Sequence, residues 1–124
     1  FEDLEPKLRT VLAEDKVAFV KQFFKNLGGA PVVIAVTIWR DPDPMIMETY
    51  IQSGAALMQN LLLAAEAEGL GTCWMTGILS REAELLRYLG LEDRHLLAIT
   101  PIGYSAKQPP VVPRKDRPVR WLGF

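Results

Sequence analysis

Apolar residues recur at intervals of three and four through the middle of the chain. Met47, Tyr50, Ile51, Gly54, Leu57, Met58, Leu61, Leu62 and Ala65 fall on one broad face of a helix. The block from Ser53 to Gly77, SGAALMQNLLLAAEAEGLGTCWMTG, reads as this helix, a glycine turn and a short extended run. Gly54, Ala55 and Ala56 set small residues side by side, where another backbone can approach closely. Gly69 and Gly71 are expected to supply the left-handed backbone that ends a helix. The rest of the chain is expected to pack on this helix, with Thr72 to Gly77 beside a bound ligand.

The other elements follow in order. Asp3 to Glu14 predicts a short helix, with Leu4, Leu8, Val11 and Leu12 on one face and Pro6 in the first turn. Asp15 is placed to cap a second helix that buries Val17, Val20, Phe23, Phe24 and Leu27 and ends at Gly28-Gly29. Pro31 to Trp39, PVVIAVTIW, is a continuous β-branched run that fits a central strand buried on both faces. Asp41-Pro42-Asp43-Pro44 is a turn before the long helix. Thr72 to Met75 predicts a short strand, and Ser80 is placed to cap a helix through Leu89, with Glu82 and Glu84 in its first turns and Gly90 as its stop. Leu96 to Tyr104 predicts a last strand. Pro101 has no N–H for a ladder, so that strand is expected at an edge or with a bulge at that point.

The tail from Ser105 to Phe124 changes character. Pro109, Pro110, Pro113 and Pro118 favour an extended arm. Trp121, Leu122 and Phe124 make it apolar enough to dock on its own domain or on a partner subunit.

With 124 residues, 49% of them apolar and 23% charged, the chain suits one domain with its own core, spanning 1–124. A net charge of −1 supplies no overall field toward nucleic acid. A single cysteine, Cys73, excludes an internal disulfide and fits a cytoplasmic setting. The polar residues of the long helix, Glu48, Gln52, Gln59, Asn60, Glu66 and Glu68, speak against a membrane span. Phe1 is not an initiator methionine, so the chain is expected to be processed, truncated or recorded without its beginning.

One His and one Cys make no metal ligand set, and neither a nucleophilic triad nor a phosphate-loop or dinucleotide motif is present. His95 reads as a surface or strand-start residue, Cys73 as a small buried side chain and Asn60 as a helix-surface or interface amide. Two features could carry chemistry. The glycine-flanked run Gly69 to Gly77 can offer backbone N–H and C=O groups to the polar edge of a flat heterocycle, with Trp74 and Met75 adding apolar surface; it also reads as a helix stop followed by a core strand. The run Pro113-Arg114-Lys115-Asp116-Arg117-Pro118 can hold a phosphate at a fixed point, and equally reads as a solvated charged tail.

Together, QNLLLAAEAEGLGTCWMTG, LLAITPIGY and PRKDRPV resemble the C-terminal part of the nitroreductase family of FMN flavoproteins, in order and separation. APVVIAV resembles the strand before that family's long helix. The resemblance implies an α+β, three-layer fold with a mixed sheet, a long interface helix and an extended arm crossing to the partner of a homodimer. It implies that the backbone of Trp74, Met75, Thr76 and Gly77 contacts the FMN ring, and that Lys115 and Arg117, with Arg114 as an alternative, hold its phosphate. The implied activity is hydride transfer from NAD(P)H through flavin to a nitroaromatic, quinone or similar acceptor. The flavin carries the redox chemistry, so no catalytic side chain is nominated.

The family's opening Arg/Ser-rich flavin motif and its Asn-x-x-Pro-Trp-like segment have no counterpart before Asp15. Two expectations follow: a native N-terminal segment absent from this chain, or a reduced form with a weakened FMN site. The alternative function is a non-catalytic dimeric module of the same fold that binds flavin weakly or not at all.

Overall fold

The strand Arg94–Gly103 holds the centre of a three-stranded sheet and touches every layer of the protein. The structure is a computed structural model that describes residues 5–107, 111 and 113–123. In chain order it contains α1 (Glu5–Arg9), α2 (Glu14–Asn26), a short 3-10 turn (Leu27–Gly29), β1 (Val32–Trp39), α3 (Pro44–Ala67), β2 (Gly71–Thr72), a second 3-10 turn (Gly77–Arg81), α4 (Glu82–Leu89) and β3 (Arg94–Gly103). The sheet order is β1-β3-β2. Both described pairings are antiparallel, whereas a mixed sheet was expected.

The central strand is therefore β3, not the β-branched run of β1. The difference lies in side-chain burial. Leu96, Ala98, Ile99 and Thr100 are buried in β3, while β1 leaves Val32, Val33 and Trp39 exposed. Pro101 sits inside this central strand opposite Val33, and the bulge lies elsewhere. Val36 faces Ala98 but Thr37 faces Leu96, so Leu97 is the extra residue. The bulge allows two consecutive residues, Leu97 and Ala98, to pack with the same cluster on the α3 side.

Two half-cores flank the sheet. On one face Val36, Met58 and Ala98 pack with Ile34, Leu62 and Leu97. On the other, Met75, Leu86, Leu96 and Ile99 pack with Phe23, Phe24, Leu27, Ala35, Ile78 and Leu91. Helix α3 thus covers one face, while α2 and α4 cover the opposite one. The expectation that the rest of the chain packs on the long helix is corrected: α2 and α4 belong to the other side of the sheet.

Helix α3 itself matches its sequence signals. Asp43 Oδ1 accepts the Met45 N–H at 2.8 Å, Pro44 opens the first turn, and Gly54, Met58 and Ala65 are its buried residues. What approaches Gly54 is the sheet's side chains rather than another backbone. A Cβ there would lie 2.8 Å from Ile38 Cγ2 and 3.1 Å from Leu97 Cδ2. At the other end Gly69 takes φ +73°, and the Leu70 N–H reaches back to the Ala65 carbonyl at 2.8 Å. Gly71 does not share that left-handed role; it opens β2.

Several boundaries differ from the expected ones. The first helix ends at Arg9, and the chain turns before α2, whose N-cap is Ala13 rather than Asp15. Arg9 bonds both Glu5 and Glu14, and this holds the Glu5 carboxyl below its ordinary range. The link is present at neutral pH and is lost as pH falls through that lowered value. Helix α2 closes at Leu27, itself left-handed at φ 50°, one residue before the glycines. Ser80 does not cap α4: its hydroxyl donates to the Gly77 carbonyl within the preceding 3-10 turn, and Arg81 is the N-cap. The described part of the arm, residues 105–107, 111 and 113–123, forms neither helix nor strand, as its prolines predict. Asp3, Leu4, Pro109, Pro110 and Phe124 lie outside the described residues.

Met58 is fully buried at the contact between α3 and the sheet. Met58→Ala is expected to cost about 2–5 kcal/mol. Gly54→Val should lose about 1–3 kcal/mol through overpacking against Ile38 and Leu97. Both are read from the midpoint of denaturant unfolding.

Candidate functional site

Beyond Thr72 the chain continues along the edge of the sheet. Gly71 faces Gly103 and Thr72 faces Ile102, and further on Met75 forms an isolated bridge with Ile99. The register is the same on both sides of the gap, so Cys73 stands opposite Pro101. In an antiparallel ladder alternate residues turn their N–H and C=O to opposite edges. Met75 turns both toward β3: its N–H donates to Ile99 at 2.9 Å and its carbonyl accepts from Ile99 at 3.0 Å. The amides of Trp74 and Thr76 accordingly point off the open edge, and among the described residues neither has a hydrogen-bond partner.

The residues nominated from sequence thus have distinct places. Trp74 is partly exposed at the edge. Met75 is buried, with both backbone groups used by Ile99, so it anchors the segment. Thr76 is exposed and precedes the 3-10 turn, its carbonyl accepting from the Leu79 N–H at 3.0 Å, and Gly77 is the first residue of that turn. Arg114, Lys115 and Arg117 are exposed on the arm, and no hydrogen bond or ion pair joins them to another described residue. The four residues of the 74–77 segment follow one another along the sheet edge and into the 3-10 turn.

Cys73 is exposed rather than buried, because the edge strand is covered on one side only. Partial burial still raises its thiol pKa. His95 is a β3 residue, as its sequence position suggests, with Nδ1 2.9 Å from Glu82 Oε1. Asn60 lies exposed on α3. Among the described residues no group of His, Cys, Asp and Glu could hold a metal ion.

Two features were missed by sequence reasoning. The first is the Glu82 carboxylate. One of its oxygens accepts the Leu96 N–H at 2.9 Å and an Arg40 Nη2–H at 2.9 Å, beside His95. Arg40 also donates to the Arg94 carbonyl at 2.5 Å, and the Arg94 guanidinium lies over the Trp39 ring. These links fasten the start of α4 to the ends of β1 and β3. The second is Thr100, a fully buried hydroxyl, which accepts the Cys73 N–H at 3.3 Å. A Thr-Pro pair inside an apolar strand is the signal that could have found it.

Two clefts flank the sheet, and neither is lined by residues 74–77. One of about 240 Å³ opens between β1 and α3, beside Trp39, Tyr50, Leu57 and Arg94. A larger one of about 580 Å³ lies at the start of β2, beside Glu66, Leu70, Thr72, Tyr104 and Lys107. Among the described residues, the 74–77 segment lies along an open sheet edge.

The chain that carries this edge is similar to known proteins. The Nitroreductase family profile matches residues 2–104, and the chain belongs to that family. It is 30% identical over 122 residues to "Putative NAD(P)H nitroreductase YfhC" of Bacillus subtilis (strain 168), covering 97% of this chain and 60% of that protein. It also resembles the crystal structure of a nitroreductase-like family protein from Bacillus cereus, with TM-score 0.66 and 26% identity, over 93% of this chain and 63% of that one. The chain therefore spans less than two thirds of the length of either relative. Family membership supports a flavin-dependent oxidoreductase in general. The described residues contain no helix long and apolar enough to cross a membrane.

The raised thiol pKa gives a direct test of the edge geometry. Alkylation of Cys73 should follow a pH profile whose midpoint lies above that of an ordinary cysteine, since the thiolate is the reacting form. A stopped pH series with iodoacetamide measures it.

Proposed function

We propose that this chain is the main part of an FMN-dependent oxidoreductase that moves a hydride from NAD(P)H to a nitroaromatic, quinone or similar acceptor. The single observation that carries the reading is the pair of outward-facing amides at Trp74 and Thr76 on the open edge of the sheet. Such donors, fixed by the Met75–Ile99 bridge, suit the ring nitrogens and carbonyls of an isoalloxazine. When bound, FMN supplies the two-electron chemistry, accepting from the nicotinamide and giving to the acceptor. The chain's part is to bind and orient. The 74–77 backbone meets the ring edge, the Trp74 side chain borders it, and Lys115 and Arg117, with Arg114 as the alternative, meet the phosphate.

The open form of the site supports a homodimer, because a sheet edge without a surrounding cavity needs a second surface to enclose a flat ligand. Residues 105–124 would be the arm that reaches the second copy. Val119 and Leu122 on that arm are exposed apolar side chains that docking would cover. Residues 1–124 act in this reading as a single unit, working in the cytoplasm.

Purified protein reconstituted with FMN should be yellow and should oxidise NAD(P)H when menadione or a nitrobenzene is added. Replacing Lys115 and Arg117 together by Ala should raise the FMN dissociation constant by roughly 10- to 100-fold, as expected for lost hydrogen bonds between charged groups. Flavin fluorescence titration measures the change. A stable dimer that neither binds FMN nor turns over would favour the non-catalytic module instead.

A further inference from the structure

The pairing between the edge that carries Trp74 and Thr76 and β3 is interrupted at Pro101, and a buried hydroxyl keeps the edge tied there. Opposite Cys73 a regular ladder would exchange two hydrogen bonds with residue 101. Pro101 has no N–H, so one of the two cannot form. The other is rerouted. The Cys73 N–H donates at 3.3 Å to Thr100 Oγ1, and that hydroxyl donates at 3.3 Å to the Pro101 carbonyl, which the Cys73 amide would otherwise have reached. The Thr100 side chain is inserted into the rung. It is fully buried, and both its donor and its acceptor capacity are used.

The position of this rung matters. On one side lies the pairing of Gly71 and Thr72, on the other the Met75–Ile99 bridge. The rung at Cys73 is the remaining tie between them on the β3 side. Through the hydroxyl Cys73 stays tied to β3, although the direct amide–carbonyl bond is replaced.

We propose that Thr100, acting across the gap left by Pro101, is the positioning residue for the ligand-facing edge at Trp74–Gly77. It touches no ligand itself and acts through the Cys73 amide. The inference rests on the reading of that edge as a flavin contact, but its geometric half stands separately. Thr100→Val keeps the shape and removes the relay, leaving the Cys73 N–H without its partner in β3. Thr100→Ser retains the hydroxyl. Pro101→Ala restores a backbone donor opposite Cys73.

Two measurements on the full chain test this. Amide hydrogen exchange reads the rung without any ligand. Protection at Cys73 and Met75 should fall roughly tenfold in Thr100→Val, return in Thr100→Ser, and fall less in Thr100→Val combined with Pro101→Ala than in Thr100→Val alone. FMN titration then reads the edge. Thr100→Val should bind roughly tenfold more weakly and, at saturation, with a shifted flavin absorption band, both restored by Thr100→Ser. Unchanged exchange in Thr100→Val overturns the proposal. So does changed exchange with wild-type FMN affinity and spectrum. If the wild-type chain binds no FMN while the exchange pattern appears as expected, the rung stands and the flavin reading of the edge fails.

Discussion

Everything in this fold depends on one strand being buried on both faces at once. β3 gives Leu96 and Ile99 to the half-core beneath α2 and α4, and Leu97 and Ala98 to the half-core beneath α3. A regular strand would send Leu97 and Ala98 to opposite sides. The bulge at Leu97 removes that constraint for one step, at the point where Gly54 lets the helix come down onto the sheet. Helix, bulge and glycine form one contact. Burial of this kind contributes about 25 cal/mol for each square ångström of apolar surface removed from water, which favours filling both faces of the shared strand.

The same strand holds the candidate site in place. Its Ile99 fixes Met75, its Thr100 ties Cys73, and its neighbours Ile102 and Gly103 pair with β2. The segment from Gly71 to Gly77 is short of its own structure and borrows order from β3. At the far end, Glu82 accepts from the Leu96 amide and from Arg40, so the helix that follows the segment is fastened to the same strand. The edge is thereby held from both ends by one element.

Much of this could be read from the residues, for definite reasons. The three- and four-residue spacing from Met47 to Ala65 and the Asp43-Pro44 start located α3, because helix periodicity and capping are local physics. The resemblance carried by GLGTCWMTG and LLAITPIGY led to the family. Sheet order was not legible. A run such as PVVIAVTIW is apolar enough for a central strand, but the position of each strand is settled by what covers it, and β1 lacks a strand on its outer side among the described residues. Pro101 misled for a related reason. Proline is excluded from a strand centre only where the strand cannot stay tied without its donor, and here the Thr100 hydroxyl keeps Cys73 tied to β3 by carrying the other bond of that rung. Ser80 and Asp15 had good capping chemistry but sat beside turns that set the helix starts instead.

The outer side of β1 has a consequence for the handling of the protein. Over the eight residues from Val32 to Trp39, the peptide groups that face away from β3 meet no strand among the described residues, and Val32, Val33 and Trp39 are exposed beside them. A bare, apolar margin of this length is a template for further strands. Copies released together at high concentration, as in refolding from denaturant, would therefore stack edge to edge unless another segment claims that margin first.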